Sequence, residues 1–224
     1  MEIIALFFVE LFVLFLLSRE LQKNLSSFLF SITKSHKWTV TLLSFIFLPG
    51  TVIHEVAHYL MAHLMFVPVG KMELIPKLEG TSLKLGSVAI GRSDPFRRLL
   101  IGVAPFLVGT SLIILTLYIA EKQALWSITY AVIIIFYVLF EVGNSMFSSK
   151  KDLEGALFVI IFFMLIAVAL YIFGLRISLE DIRTRLDPRT VHLFYQGVIY
   201  QIFPLSIDVI LIFILTISNR LLRR

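Results

Sequence analysis

Long apolar runs separated by short charged links make up most of the chain. Residues 3–17 form the first run, interrupted by Glu10, and residues 18–21 extend it toward the roughly 20 residues that a membrane-crossing helix needs. Leu21, Leu25, Phe28, Leu29 and Ile32 then recur at helical spacing within the basic link 19–37. That spacing predicts an amphipathic helix lying on a membrane surface. Residues 38–66 predict a second span, with Trp38 as an interfacial anchor and Pro49-Gly50 as a kink or break. Residues 67–94 are more polar and are punctuated by Pro68, Gly70, Pro76, Gly80, Gly86 and Gly91. Within them, 72–75 and 82–90 predict two short strands joined across 77–81. Four more apolar runs follow, at 96–120, 126–147, 153–175 and 196–218. Small residues in the first of these, Gly102 and Gly109, permit close helix contact, and Pro105 frees a backbone carbonyl. The link 176–193 is charged and partly helical in pattern, and 219–224 is a basic tail. The pattern predicts one integral-membrane domain over residues 1–224. It is an all-α polytopic protein of about six transmembrane helices, with a short membrane-associated β-hairpin near 70–90.

Composition agrees with that reading. Of the 224 residues, 58% are hydrophobic and the mean hydropathy is +0.94. A soluble domain is nearer 45–50% apolar. The net charge of +5 comes from Lys and Arg gathered in the links, which suits anionic lipid headgroups. No basic helix or aromatic-basic module is present, so nucleic acid is not an expected partner. The chain has no cysteine, which excludes disulfides and thiolate metal ligands. Glu2 stands where a signal peptide has basic residues, and no small-residue cleavage site follows, so the first run reads as a retained span. With six spans and a cytoplasmic N-terminus, eleven Lys and Arg fall on the cytoplasmic side and nine on the other. That difference does not set an orientation.

The chemistry is concentrated in His54-Glu55-Val56-Ala57-His58. Each helical residue advances about 100°, so positions i and i+4 lie about 40° apart on one face. His54 and His58 can therefore reach one metal ion, and Glu55 sits beside them as a general base. This is the H-E-x-x-H pattern of zinc hydrolases. Within 38–67 the only Asp, Glu, Lys, Arg or His residues are these three and His63. Such groups are costly in hydrocarbon and are functional candidates by default. The alternative is a polar cluster satisfied between helices. His63 lies nine positions after His54, about 900° of rotation, and so points away from that face.

A catalytic zinc usually takes three protein ligands and keeps one position open. Without cysteine the third is His, Asp or Glu. Asp152, Glu141, Asp208, His192 and Glu10 are the candidates, and spacing does not choose among them. Glu141 reads equally as a group that orients a ligand from behind. His192 reads as a solvated histidine, and Glu10 as a helix-packing carboxylate.

Residues 45–160 resemble the site-two protease family of intramembrane zinc metalloproteases. There, H-E-x-x-H lies on one transmembrane helix. A later helix carries an asparagine, and eight positions on an aspartate completes the metal site. Asn144 and Asp152 have that separation. Gly102-Val103-Ala104-Pro105 is similar to the family's glycine-proline element, and a membrane-embedded hairpin commonly follows the H-E-x-x-H helix. The chain departs from the pattern at Phe147, where the family has proline, and at Leu153, where it has glycine. The resemblance implies a zinc cofactor on His54, His58 and Asp152, with Glu55 catalytic and Asn144 binding substrate. It implies hydrolysis of peptide bonds in membrane proteins or membrane-lodged peptides, in a multi-pass prokaryotic cell-membrane protein with its N-terminus inside. An edge strand within 70–90 would hold an unwound substrate by strand addition. Intramembrane His, Asp and Glu also suit a metal or ion transporter, and a third reading is a relative that binds membrane segments without cutting them.

Overall fold

The structure is a computed structural model that describes residues 2–73, 77–79, 82–84, 86–147, 152, 156–172 and 188–222. It contains α1 (Glu2–Thr33), α2 (His36–Ile46), α3 (Leu48–Leu64), α4 (Pro95–Lys122), α5 (Thr129–Ser145), α6 (Ala156–Ile172) and α7 (Pro188–Leu222). A short 3₁₀ turn, Leu125–Ser127, joins α4 to α5. Much of the link expected at 176–193 lies outside the described residues.

The first apolar run and the expected surface helix form one continuous helix, α1. No proline or glycine lies between residues 2 and 33, so nothing in the sequence ends it. The second apolar run is broken. Helices α2 and α3 meet at Phe47 with a bend of 66°. Pro49 stands in the first turn of α3, where its missing N–H costs nothing.

The hairpin region holds two antiparallel pairs. β1 (Val69–Glu73) pairs with β4 (Ser87–Ile90), and β2 (Lys77–Glu79) pairs with β3 (Ser82–Lys84). The single strand expected over 82–90 is thus two strands in different sheets. Gly86 is the reason the second can turn inward. A Cβ there would lie 2.8 Å from Thr51 Cγ2 and 3.0 Å from Glu55 Cγ, so only glycine lets β4 come this close to α3. Beyond β4, Asp94 caps α4 by accepting from the N–H groups of Phe96 and Arg97. The Arg97 amide, above all, holds the exposed Asp94 carboxyl below its usual range.

The apolar core joins Phe7, Leu11 and Leu14 of α1 to Ile113 and Leu117 of α4, Leu139 and Val142 of α5 and Val198 of α7. Helices α1 and α7 run parallel. Phe7 meets Phe194 at one end, and Asn24 accepts from Asn219 at the other. Helix α4 runs against them, with Glu121 near its end accepting from Tyr200 near the start of α7.

Two helical segments, α4 and Phe194–Leu222 of α7, are long and apolar enough to cross a membrane, and the bent pair α2–α3 makes a third if it counts as one span. This is fewer than the sequence pattern suggested. Helices α5 and α6 have 17 residues each, about 25 Å against a hydrocarbon layer of about 30 Å. Helix α1 carries Glu2, Glu10, Arg19 and Glu20 along its first two-thirds.

Candidate metal centre

Helix α3 carries the two imidazoles, and its start is fixed from α5. The Gly50 N–H, in the first turn, donates to Glu141 Oε2 at 2.8 Å. This answers one of the amides that a helix start leaves without a partner. A Cβ on Gly50 would lie 2.6 Å from both the Glu141 carbonyl and Ser145 Oγ. Glycine therefore sets how closely α3 and α5 approach, one turn before His54.

Both histidines are held from behind by backbone. His54 Nδ1 lies 2.7 Å from the Ser145 carbonyl, and His58 Nδ1 lies 2.8 Å from the Ile101 carbonyl. A carbonyl oxygen only accepts, so each Nδ1 carries the hydrogen and each Nε2 presents a lone pair. The two Nε2 atoms face each other at 3.1 Å. Asp152 completes the group, with Oδ1 3.5 Å from His58 Nε2 and Oδ2 3.8 Å from His54 Nε2. With Asp152 ionised, three hydrogen-free atoms converge on one point, an arrangement that a cation relieves. A tetrahedral ion about 2.0–2.1 Å from each nitrogen sets its ligands about 3.3 Å apart, close to these separations. The ligand atoms of His54, His58 and Asp152 all lie within 4.8 Å of one another. The residues present therefore fit a zinc ion.

Asp152 reaches this point because α4 lets its backbone in. A Cβ built on Gly102 would collide with the Asp152 carbonyl oxygen. Gly109, two turns on, admits Met146 in the same way, its Cβ position falling 3.1 Å from Met146 Sδ. Together the two glycines seat Met146 and Asp152 against α4.

The three groups open into a cavity of about 390 Å³. Glu55, 7% exposed, lines it on the α3 side. Ser87 to Ile90 of β4 line the opposite side, and Arg98 and Ile101 contribute from α4. Strand β4 pairs with β1 along one edge and with no described strand along the other.

The remaining candidates lie elsewhere. Glu141 is bonded to Gly50. Asp208 is fully buried and accepts from Asn144 Nδ2 at 2.8 Å. Asn144 is thus turned toward α7 and does not line the cavity. Its carbonyl accepts from Ser18 and Gln22 of α1. His192 is exposed on the first turns of α7, and Glu10 is half-buried on α1. His63 is exposed and bonds its Nδ1 to the Tyr59 carbonyl, away from the group. The carbonyls of Ile101 and Ser145 were not foreseen as functional groups. Their signals were present, in Pro105 four residues after Ile101 and in Ser145 at the end of an apolar run.

No family model matches the chain, and no curated protein or solved structure is similar to it.

Proposed function

We propose that the chain is an intramembrane zinc metalloprotease that hydrolyses peptide bonds in or near transmembrane segments. The observation that carries this reading is the convergence of His54 Nε2, His58 Nε2 and the Asp152 carboxylate beside Glu55, in a cavity with a strand edge along one wall. Zinc held by these three residues supplies Lewis-acid polarisation of the scissile carbonyl and lowers the pKa of water at the site. Glu55 takes the proton from water as its oxygen bonds to the peptide carbon. It then passes that proton to the nitrogen as the C–N bond breaks. The Nδ1 bonds to Ser145 and Ile101 keep both imidazoles in the ligating tautomer throughout.

A helical substrate hides its carbonyls in its own hydrogen bonds and must unwind before attack. The free edge of β4 offers backbone groups to receive the unwound segment beside the metal ligands. A substrate contact from Asn144 would exchange its present bond to Asp208. The substrate class is a single-span membrane protein or a membrane-lodged peptide, and the location a multi-pass protein of a prokaryotic cell membrane.

Purified full-length chain, loaded with zinc in detergent and incubated with a panel of single-span helices, tests this reading. Cleavage is expected, and Glu55→Gln is expected to slow it by about 10²–10⁴ while zinc stays bound. Zinc flux into liposomes without cleavage would instead favour the transporter.

A further inference from the structure

Helix α4 runs from Pro95 to Lys122 with a proline, Pro105, inside it and fully buried. In an α-helix the amide of residue i donates to the carbonyl of residue i−4. Proline has no amide hydrogen, so the Ile101 carbonyl lacks the donor that an ordinary residue at 105 would supply. The proline ring also crowds that carbonyl, and such crowding tilts it away from the helix axis. A buried carbonyl left without a donor is costly. Here the donor comes from another helix, since His58 Nδ1 lies 2.8 Å from the Ile101 oxygen. His58 is itself buried, with 3% of its surface exposed.

We propose that Pro105 is a positioning residue for the metal site. By withholding an amide it hands the Ile101 carbonyl to His58 and fixes Nε2 as the metal-facing atom. This rests on the metal-site reading above and deepens it. An ordinary residue at 105 restores an amide aimed at the same oxygen. His58 then competes for its acceptor, and its ring populates the other tautomer. That tautomer puts a hydrogen on Nε2, where a ligand needs a lone pair. His54 supplies an internal control. Its acceptor is the carbonyl of Ser145, which is free because α5 ends there, and which owes nothing to Pro105.

The experiment uses the full chain in detergent, with ¹⁵N-labelled histidine rings, free of metal and at a pH well above the imidazole range. The wild type should show the Nδ1–H tautomer at both His54 and His58. Pro105→Ala should mix the tautomers at His58 and leave His54 unchanged. Zinc affinity, titrated separately, should fall about 10–100-fold, the usual cost of losing an outer partner of a metal-bound histidine. Lactic acid at position 105 provides a backbone ester with neither ring nor amide hydrogen. It should restore the His58 tautomer and recover most of the affinity. A His58 that keeps its tautomer in Pro105→Ala would overturn the proposal. So would a change at both histidines together, or an ester variant as weak as Pro105→Ala. If the wild type takes up no zinc, the metal reading falls, and the tautomer measurement alone decides the role of Pro105.

Discussion

At the scale of single residues, the site divides into a part that lies close together in sequence and a part that folding assembles. His54, Glu55 and His58 are legible in the sequence because helical spacing alone puts the two histidines on one face. Asp152 is not. Five acidic or histidine residues were open on spacing, and the choice among them depends on contacts between distant segments. The decisive contact is a missing methyl group, since Gly102 leaves room for the Asp152 carbonyl. Gly102→Ala should therefore move Asp152 off the imidazoles. Zinc affinity should drop about tenfold or more, as when a ligand's support is lost, while far-ultraviolet circular dichroism stays that of the wild type. Unchanged zinc affinity would show that the Gly102 contact does not hold Asp152 in place. The same logic explains Asn144. Its spacing to Asp152 was visible, but its side-chain direction was not. It turns to Asp208, a residue 64 positions away on another helix.

At the scale of elements, the apolar runs located the helices well and the breaks less well. Run length does not reveal a bend, and the break sits at Phe47, two residues before the expected Pro49-Gly50. Proline is tolerated in the first turn of a helix, so a helix containing Pro49 must begin just before it. The new start is then held from another element by Glu141. A carboxylate at a helix N-terminus also meets the positive end of the helix dipole. Glu141→Ala leaves the Gly50 amide buried and unanswered, which costs about 1–3 kcal/mol. The thermal midpoint in detergent should fall, and zinc binding should weaken because α3 carries both histidines. Glu141→Gln keeps a side-chain acceptor and should retain most of the stability. If Glu141→Ala melts like the wild type, the contact does not hold the start of α3. The strands show a further limit of pattern reading. Turn signals suggested one strand over 82–90. The structure splits it into β3 and β4, and the close approach of Gly86 to Thr51 and Glu55 on α3 is a tertiary contact that strand pattern does not carry.

At the scale of the whole molecule, the parallel packing of α1 and α7 bears on how the chain sits in a membrane. Helices that cross in the same direction are separated by an odd number of crossings. A six-span alternation places the first and last spans antiparallel, whereas Phe7 meets Phe194 and Asn24 meets Asn219. Helix α4 descends from the metal site toward Glu121 and Tyr200, the end of the molecule where α7 begins. It therefore starts at the end of the molecule where α1 finishes, which suits a re-entrant loop rather than a broken span for the bent pair α2–α3. Were α1, α5 and α6 to cross along with α4 and α7, the path would have five crossings, with the bent pair α2–α3 as a re-entrant element carrying the two histidines. On such a path the basic residues would sort strongly. Among the described residues, Arg19, Lys23, Lys34, Lys37, Lys71, Lys77, Lys84, Arg92, Arg97, Arg98 and Arg220 would fall on the metal-site side, and Lys122 and Arg189 on the other. Eleven against two among the described residues would favour the metal-site side as the cytoplasmic one. On that path the metal site would lie toward the cytoplasm and the N-terminus outside, whereas the family resemblance implies an N-terminus inside. The cysteine-free chain makes the test direct. Single cysteines replacing the exposed Lys34, Arg92 and Gln123 are probed in right-side-out vesicles with a membrane-impermeant thiol reagent. Gln123→Cys should label from outside, and Lys34→Cys and Arg92→Cys only after the vesicles are opened. In the six-span path, Lys34 and Gln123 share a side, so labelling of both from the same face would rule out the re-entrant arrangement.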